Sequence, residues 1–368
     1  MADLQERIQN ILDDQVASEA ETGLAAAVYR HGRLVADAVS GVADPASGVA
    51  VTSGTLFFAT STAKGIASSL AHVLAERGEL DYDLHLAEVW PGFATPPKDR
   101  ITVRHVLMHM AGLPALPPGT TVAELCDWQR MCAVLAAATP WWEPGTRFGY
   151  HAMTFGFLLG ETLRRLTGAT ISELLREVVT GPLGVADEVC FAVPPRLLPR
   201  VARRPPDAPA PPSPPPGSPL DRAIPPALRD PAAFANRDDV LSAEIGSLGT
   251  MTARGAARVY AALLGPVDGT QLVSPRRRDL MAQVAFTGPD QVMGFGTRWA
   301  FGYSPDHLAG PQADPGPDRP AFGMVGANGT AAWADVTSGV AAAVLRNGPA
   351  PGDLTAATRI DALLLEEY

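Results

Sequence analysis

The chain has 368 residues, 46% hydrophobic and 18% charged, which is ordinary globular material with length for one large domain or two interleaved ones. A net charge of −10 argues against a nucleic-acid partner, which needs a basic face. Cys126, Cys132 and Cys190 lack metal spacing and read as buried apolar residues of a reduced protein. No apolar run reaches the ~18 residues of a membrane span, so no membrane partner is expected.

The N-terminus has no basic stretch leading into an apolar core, so no signal peptide is read and a cytoplasmic address is expected. Residues 3–18 carry a helical stripe of Leu4, Ile8, Ile11 and Leu12. Leu24 to Tyr29 and Arg33 to Val42 read as two strands joined at His31-Gly32. From Thr60 the period turns helical, with Ile66, Leu70, Val73 and Leu74 on one face and Gly78 as the stop. Residues 80–190 look mostly helical. Thr102 opens a helix expected to run to Gly112, which would put His105 and His109 on one face. No Glu lies between them in the zinc-protease order, so they read as ordinary histidines and no metal site is expected. A helix over 153–167 closes at Gly168, and Thr170 to Glu173 forms a capping box for the next, which Gly181-Pro182 ends.

Residues 194–231 hold 15 of the chain's 35 prolines and are expected to form neither helix nor central strand. A mobile surface loop is the simpler reading, and an ordered flap beside a site the alternative. Thr252 to Leu264 is helical, and Ser274-Pro275 is a helix start. Phe295 to Tyr303, Ala321 to Ala327, Thr330 to Val336 and Val340 to Arg346 alternate like antiparallel strands, and Leu354 to Leu365 closes the chain as a helix. The fold class expected is α+β: an antiparallel sheet flanked by N- and C-terminal helices, with an inserted mostly helical domain. The sheet domain is drawn from residues 1–75 and 240–368. The helical domain spans 76–239.

Only two of the 29 basic side chains are lysine, Lys64 and Lys98. Arginine stays protonated in proteins, whereas a desolvated lysine can serve as a base near neutral pH. Lys64 stands three residues after Ser61 at a helix start, so the two side chains share a face. A serine hydroxyl is a weak nucleophile and needs such a base. Two further motifs follow: Trp141-Trp142-Glu143-Pro144-Gly145 leading to Tyr150-His151-Ala152, and Phe322-Gly323-Met324-Val325-Gly326-Ala327.

In combination and order, these motifs resemble the serine β-lactamase and penicillin-binding-protein-like superfamily. The resemblance is closest to its class C-like branch, with the family VIII carboxylesterases and related transesterases. It implies Ser61 as the acyl-accepting nucleophile, Lys64 as the group that shares its proton, and Tyr150 as general base and then acid. It implies an oxyanion hole from the backbone N–H groups of Ser61 and Ala327, with Gly326 allowing close approach. His151, Trp142, Met324 and Gly326 are expected to line the substrate site.

The chain departs from the family at two polar positions. Met324 stands where the family carries Lys or His, and Ala152 where it often carries Asn. Met offers neither charge nor donor to a substrate carboxylate. The leading expectation is therefore hydrolysis or transesterification of a small ester, with weak or absent β-lactamase activity. An acyltransferase or amide synthase using an amine or alcohol acceptor is one alternative. A non-catalytic binding protein is another. No cofactor is expected.

Overall fold

The structure, a computed structural model, describes residues 3–305, 308 and 320–368, so Met1 and Ala2 of the N-terminal reading lie outside the described residues. Its frame is a six-stranded antiparallel sheet built from both ends of the chain. The first strands are β1 (Gly23–Arg30), β2 (Arg33–Asp44) and β3 (Val49–Ala50). His31 and Gly32 join β1 to β2 with φ of 46° and 75°, the pair of positive φ values that a tight two-residue hairpin needs. After three strands outside this sheet, β4 (Phe57–Ala59), β5 (Val189–Cys190) and β6 (Gly249–Met251), comes a two-stranded ribbon of β7 (Val284–Pro289) and β8 (Gly296–Ala300). The main sheet resumes with β9 (Ala321–Val325), β10 (Ala331–Asp335) and β11 (Val340–Arg346), in the order β3-β2-β1-β11-β10-β9. The first and last thirds of the chain thus meet where Leu24 pairs with Arg346 and Arg30 with Val340.

Each face of the sheet is covered by helix. Leu24, Ala26 and Val28 pack with Ile8 and Leu12 of the N-terminal helix (Leu4–Ala17) and with Ile360 and Leu363 of the C-terminal helix (Thr355–Glu367). Ala25, Ala27 and Tyr29 point to the opposite layer, where the helix Ala253–Leu264 and the helix Thr62–Glu76 lie. With both faces buried, β1, β10 and β11 are near-continuous apolar runs, whereas alternation was expected of the last two.

The helix Thr62–Glu76 is buried on every side from Thr62 to Ala75, so the single apolar face expected of it is too narrow a description. Gly65 shows why small residues stand there. A Cβ at that position would meet the Tyr260 hydroxyl at 2.1 Å and Met324 Cγ at 3.2 Å. Three other expectations are corrected. The helix opened by Thr102 ends at Leu107, and His109 adopts a left-handed φ of 52°, so His105 and His109 share no helix face. The proline-rich segment is packed: Val201 bridges Leu56, Leu197 and Leu228 are buried, and Pro219 sits at the first position of a short helix, Pro219–Ala223. Proline there removes an N–H that no helix start would use. Strand β7 was not expected, since its sequence ends in Gly288-Pro289 and carries little apolar alternation.

Candidate active site

Strand β4 delivers the chain to Ser61. It pairs with β6, and Ser61 follows two residues later as the N-cap of the helix Thr62–Glu76. Most N-cap serines spend their hydroxyl on the helix's own N–H groups. Ser61 does not: its backbone is already helical, at φ −66° and ψ −11°, and it makes no side-chain cap bond. Its hydroxyl instead accepts from Lys64 Nζ at 3.0 Å.

Lys64 is 1% exposed. Burial alone lowers its ammonium from the usual range to about 7, with no carboxylate acting to hold the proton on. The side chain is therefore poised between amine and ammonium near neutral pH. Its Nζ also lies 5.2 Å from the centre of the Tyr150 ring. Burial pushes the Tyr150 phenol well above its ordinary value, with a hydrogen bond from Ser61 opposing the rise.

Tyr150 is held through its backbone. Asp290 Oδ1 accepts from the N–H groups of Tyr150 (3.1 Å), Val292 (2.8 Å) and Met293 (2.9 Å). Gln291 N–H adds a bond to Phe148 O at 3.0 Å. The loop between β7 and β8 is thus fastened to the segment that carries Tyr150. Around the phenol ring stand His109, at 4.7 Å between centroids, and Trp299, at 6.1 Å. Trp299 is fixed in turn by its indole N–H, which donates to Leu107 O at 3.1 Å.

The turn after β9 comes up against Ser61 from the other side. A Cβ at Gly326 would lie 2.5 Å from Thr60 Oγ1 and 2.5 Å from Thr330 Oγ1, so only glycine permits this approach. Ala327, next in the chain, is exposed, and among the described residues no protein acceptor takes its N–H. The structure thus places Ser61, Lys64 and Tyr150 beside one another and sets Gly326, with Ala327 next to it, against Thr60.

Three of the residues expected to line the substrate site behave differently. His151 is buried. Its Nδ1–H donates to Gly149 O at 2.6 Å and its Nε2 accepts from Leu113 N–H at 3.0 Å. Both nitrogens are used within the protein, and burial lowers the ring to about 4, so it is a neutral brace with nothing left to offer a ligand. Met324 points into the core against Gly65. It is the floor under the Ser61 helix. Trp142 is 8% exposed, its indole N–H has no partner among the described residues, and it packs with Val292 and Ala223. That contact brings the proline-rich segment to the Trp142 side of the site.

Sequence reasoning missed Asp290 and Asn328. Asp290 heads an Asp-Gln-Val-Met-Gly turn, and that Asx-turn signature was the only sequence signal for it. Asn328 follows the third motif directly and binds Thr60, beside the nucleophile. His109, expected to be an ordinary histidine, is buried among Tyr150, Phe155 and Trp299. Its Nδ1 accepts from His151 N–H at 3.0 Å, and its Nε2 has no partner among the described residues.

Comparison with known proteins gives consistent matches. A family model described as Beta-lactamase matches residues 8–366. The esterase/beta-lactamase LipL of Mycobacterium tuberculosis is 33% identical over 351 residues, covering 88% of this chain and 77% of that protein. A crystal structure of a family VIII carboxylesterase superposes with a TM-score of 0.85 at 30% identity, covering 99% of this chain and 98% of that one. A penicillin-binding-protein homologue from Caulobacter crescentus superposes with a TM-score of 0.84 at 32% identity and the same coverage. No helix among the described residues is long and apolar enough to cross a membrane.

Proposed function

The chain belongs to the beta-lactamase family, as a serine hydrolase or acyltransferase, and from that membership we propose that it cleaves small carboxylic esters through an acyl-Ser61 intermediate. The observation that carries this reading is the 3.0 Å contact of Ser61 Oγ with a buried lysine that burial has lowered to about 7. Ser61 Oγ attacks the ester carbonyl carbon as its proton passes to neutral Lys64. The carbonyl oxygen takes the negative charge and sits between the N–H groups of Ser61 and Ala327. Collapse breaks the bond to the alcohol oxygen, which leaves with the proton returned from Lys64. Tyr150, kept protonated by burial, stands beside both groups and relays that proton, so the base is assigned to Lys64 and Tyr150 is the donor. Water, or an alcohol or amine, then attacks the acyl carbon while its proton follows the same route, and Ser61 regains its hydrogen.

The partner is a small-molecule ester or acyl donor without a carboxylate to be recognised. Met324 is turned into the core and Ala152 has no polar group, so neither position offers a carboxylate anything to bind. Nitrocefin turnover is accordingly expected to be slow. The acyltransferase reading has one observation in its favour. The rings of His109 and Trp299 pack around Tyr150, a largely apolar surround that favours an organic acceptor over water. Product analysis with added alcohols and amines separates the two, because a pure hydrolase releases only free acid.

The deciding experiment is intact-protein mass after a fluorophosphonate, with ester turnover measured alongside. The expected result is one adduct on the wild type and none on Ser61→Ala, which also loses about 10³-fold or more in rate. Full turnover by Ser61→Ala overturns the reading.

A further inference from the structure

We propose that Asn328 is a positioning residue that fixes the Ala327 N–H opposite Ser61, so that the oxyanion meets a donor already in place. The proposal rests on the acyl-Ser61 reading above and adds a residue which that chemistry does not itself name.

Ala327 sits in the turn between β9 and β10. The turn closes on itself through Gly326 N–H to Thr330 O at 2.7 Å and Gly329 N–H to Gly326 O at 2.8 Å. Those bonds shape it but do not tie it to the nucleophile, about 265 residues earlier in the chain. Two residues of the turn make that tie. Thr330 meets Thr62, just after Ser61, with Thr62 Oγ1 donating to Thr330 O at 3.1 Å and the two hydroxyls 2.8 Å apart. The residues just before Ser61 are held by Asn328. Its Nδ2 donates to Phe58 O at 2.7 Å. Its Oδ1 accepts from Thr60 Oγ1 at 2.9 Å and from Thr330 Oγ1 at 3.0 Å. Phe58 and Thr60 lead into Ser61, so one amide links the two segments whose N–H groups are assigned to the oxyanion hole. A second bond holds the turn from behind: Asn328 O accepts from Arg346 Nη1 at 2.8 Å, and Arg346 is itself locked by a buried ion pair with Glu21.

The chemistry requires an amide. Two hydroxyls need an acceptor on one side, and the Phe58 carbonyl needs a donor on the other. Aspartate would set a second oxygen against the Phe58 carbonyl, and alanine would release both. The Thr60 hydroxyl donates to the amide and accepts the Asn328 N–H at 3.4 Å, so it is fully used as well. A preorganised donor acts because it costs no rearrangement as charge develops, and loss of one such donor typically lowers kcat about 10² to 10³-fold. Displacing the donor without removing it should cost a part of that.

The test is steady-state turnover of p-nitrophenyl butyrate by Asn328→Ala and Asn328→Asp, with inhibition by a phenylboronic acid as a tetrahedral mimic. The expected result is a fall in kcat of about 10-fold or more with KM within about two-fold, and boronate affinity falling in proportion. Unchanged kcat overturns the proposal. So does a loss of activity without any loss of boronate affinity. Should the Asn328 variants fail to fold, Thr60→Val against Thr60→Ser makes the same comparison. Serine keeps the hydroxyl and should retain wild-type kcat, and equal activity of the two variants overturns the proposal. Ser61→Ala, measured in parallel, keeps the two readings apart. Its retained turnover would sink the acyl-serine mechanism, whereas a dead Ser61→Ala beside fully active Asn328 variants removes only this inference.

Discussion

Lys64 is a base because the fold gives it no counter-charge. Its folded value of about 7 against an ordinary 10.5 means that the unfolded chain binds the extra proton between those limits. Stability from this group is therefore complete above about 10.5 and falls as pH drops towards about 7, by ~1.4 kcal/mol for each pH unit, a total on the order of a few kcal/mol. Two outcomes follow. Ester kcat/KM should rise with pH through about 7 as Lys64 loses its proton, and Lys64→Arg, which keeps the charge at every working pH, should be inactive across the profile. A flat profile between pH 6 and 8 would count against Lys64 as the base. Lys64→Met should be inactive yet more stable than wild type in urea at pH 7 by a few kcal/mol, with the gap narrowing by pH 9.5. A less stable Lys64→Met would show that the lysine is not a desolvated burden. This residue was legible because serine and lysine at that spacing carry chemistry that few other pairs do. Asp290 and Asn328 were not, because the bond of each that matters to the site reaches a partner 140 to 270 residues away, Tyr150 N–H for Asp290 and Phe58 O and Thr60 for Asn328. An isolated Asp or Asn in a turn already has a local explanation.

Among the elements, the turn at Gly326–Thr330 has the least tolerance. Gly326→Ala would drive a methyl to within 2.5 Å of two hydroxyl oxygens and 2.7 Å of Asn328 Oδ1, all three fixed by hydrogen bonds. Either the turn or the Ser61 segment must move. The expected outcome is a loss of kcat of about 10²-fold with the chain still folded, checked by turnover and far-UV CD. The β7–β8 ribbon offers a second test. Asp290→Ala leaves three backbone N–H groups without their acceptor, two of them in its own turn and one on Tyr150. A cost of about 1–3 kcal/mol in stability is expected, with a larger relative loss in kcat because Tyr150 shifts. Equal kcat in Asp290→Ala and wild type would show that the Tyr150 backbone needs no anchor. Elements were legible where their period or caps were strong. The capping box at Thr170 and the stop at Gly168 are both in place. The early end of the helix after Thr102 was hidden, because nothing in Met108-His109-Met110 breaks a helix by propensity. His109 leaves it to put its ring against Tyr150 and Trp299, a tertiary contact that outweighs local preference.

At the scale of the molecule, the sheet of terminal strands and the inserted helices share one core. The helix Thr62–Glu76 lies between them. Its Gly65 side abuts Met324 of β9, and its Ile66, Leu70 and Leu74 belong to the same buried cluster as Phe155 and Leu159 of the helix Thr154–Thr167. No solvated seam separates a sheet unit from a helical unit along that helix. A cluster shared in this way loses its contacts together, so the sheet cannot melt while the inserted helices persist. Far-UV CD, dominated by the helices, and the emission of Trp333, buried within the sheet, should therefore report one urea midpoint. Replacing the other five tryptophans, Trp90, Trp128, Trp141, Trp142 and Trp299, by Phe isolates the sheet signal for the comparison. Two separated midpoints would mean that the helical insertion folds independently, and that the Ser61 helix has a stable resting place on only one of its two sides. A single midpoint also has a catalytic consequence. Ser61 and Lys64 stand on the element common to both halves, Tyr150 comes from the insertion and Ala327 from the sheet, so the geometry of the site persists only while the whole core does.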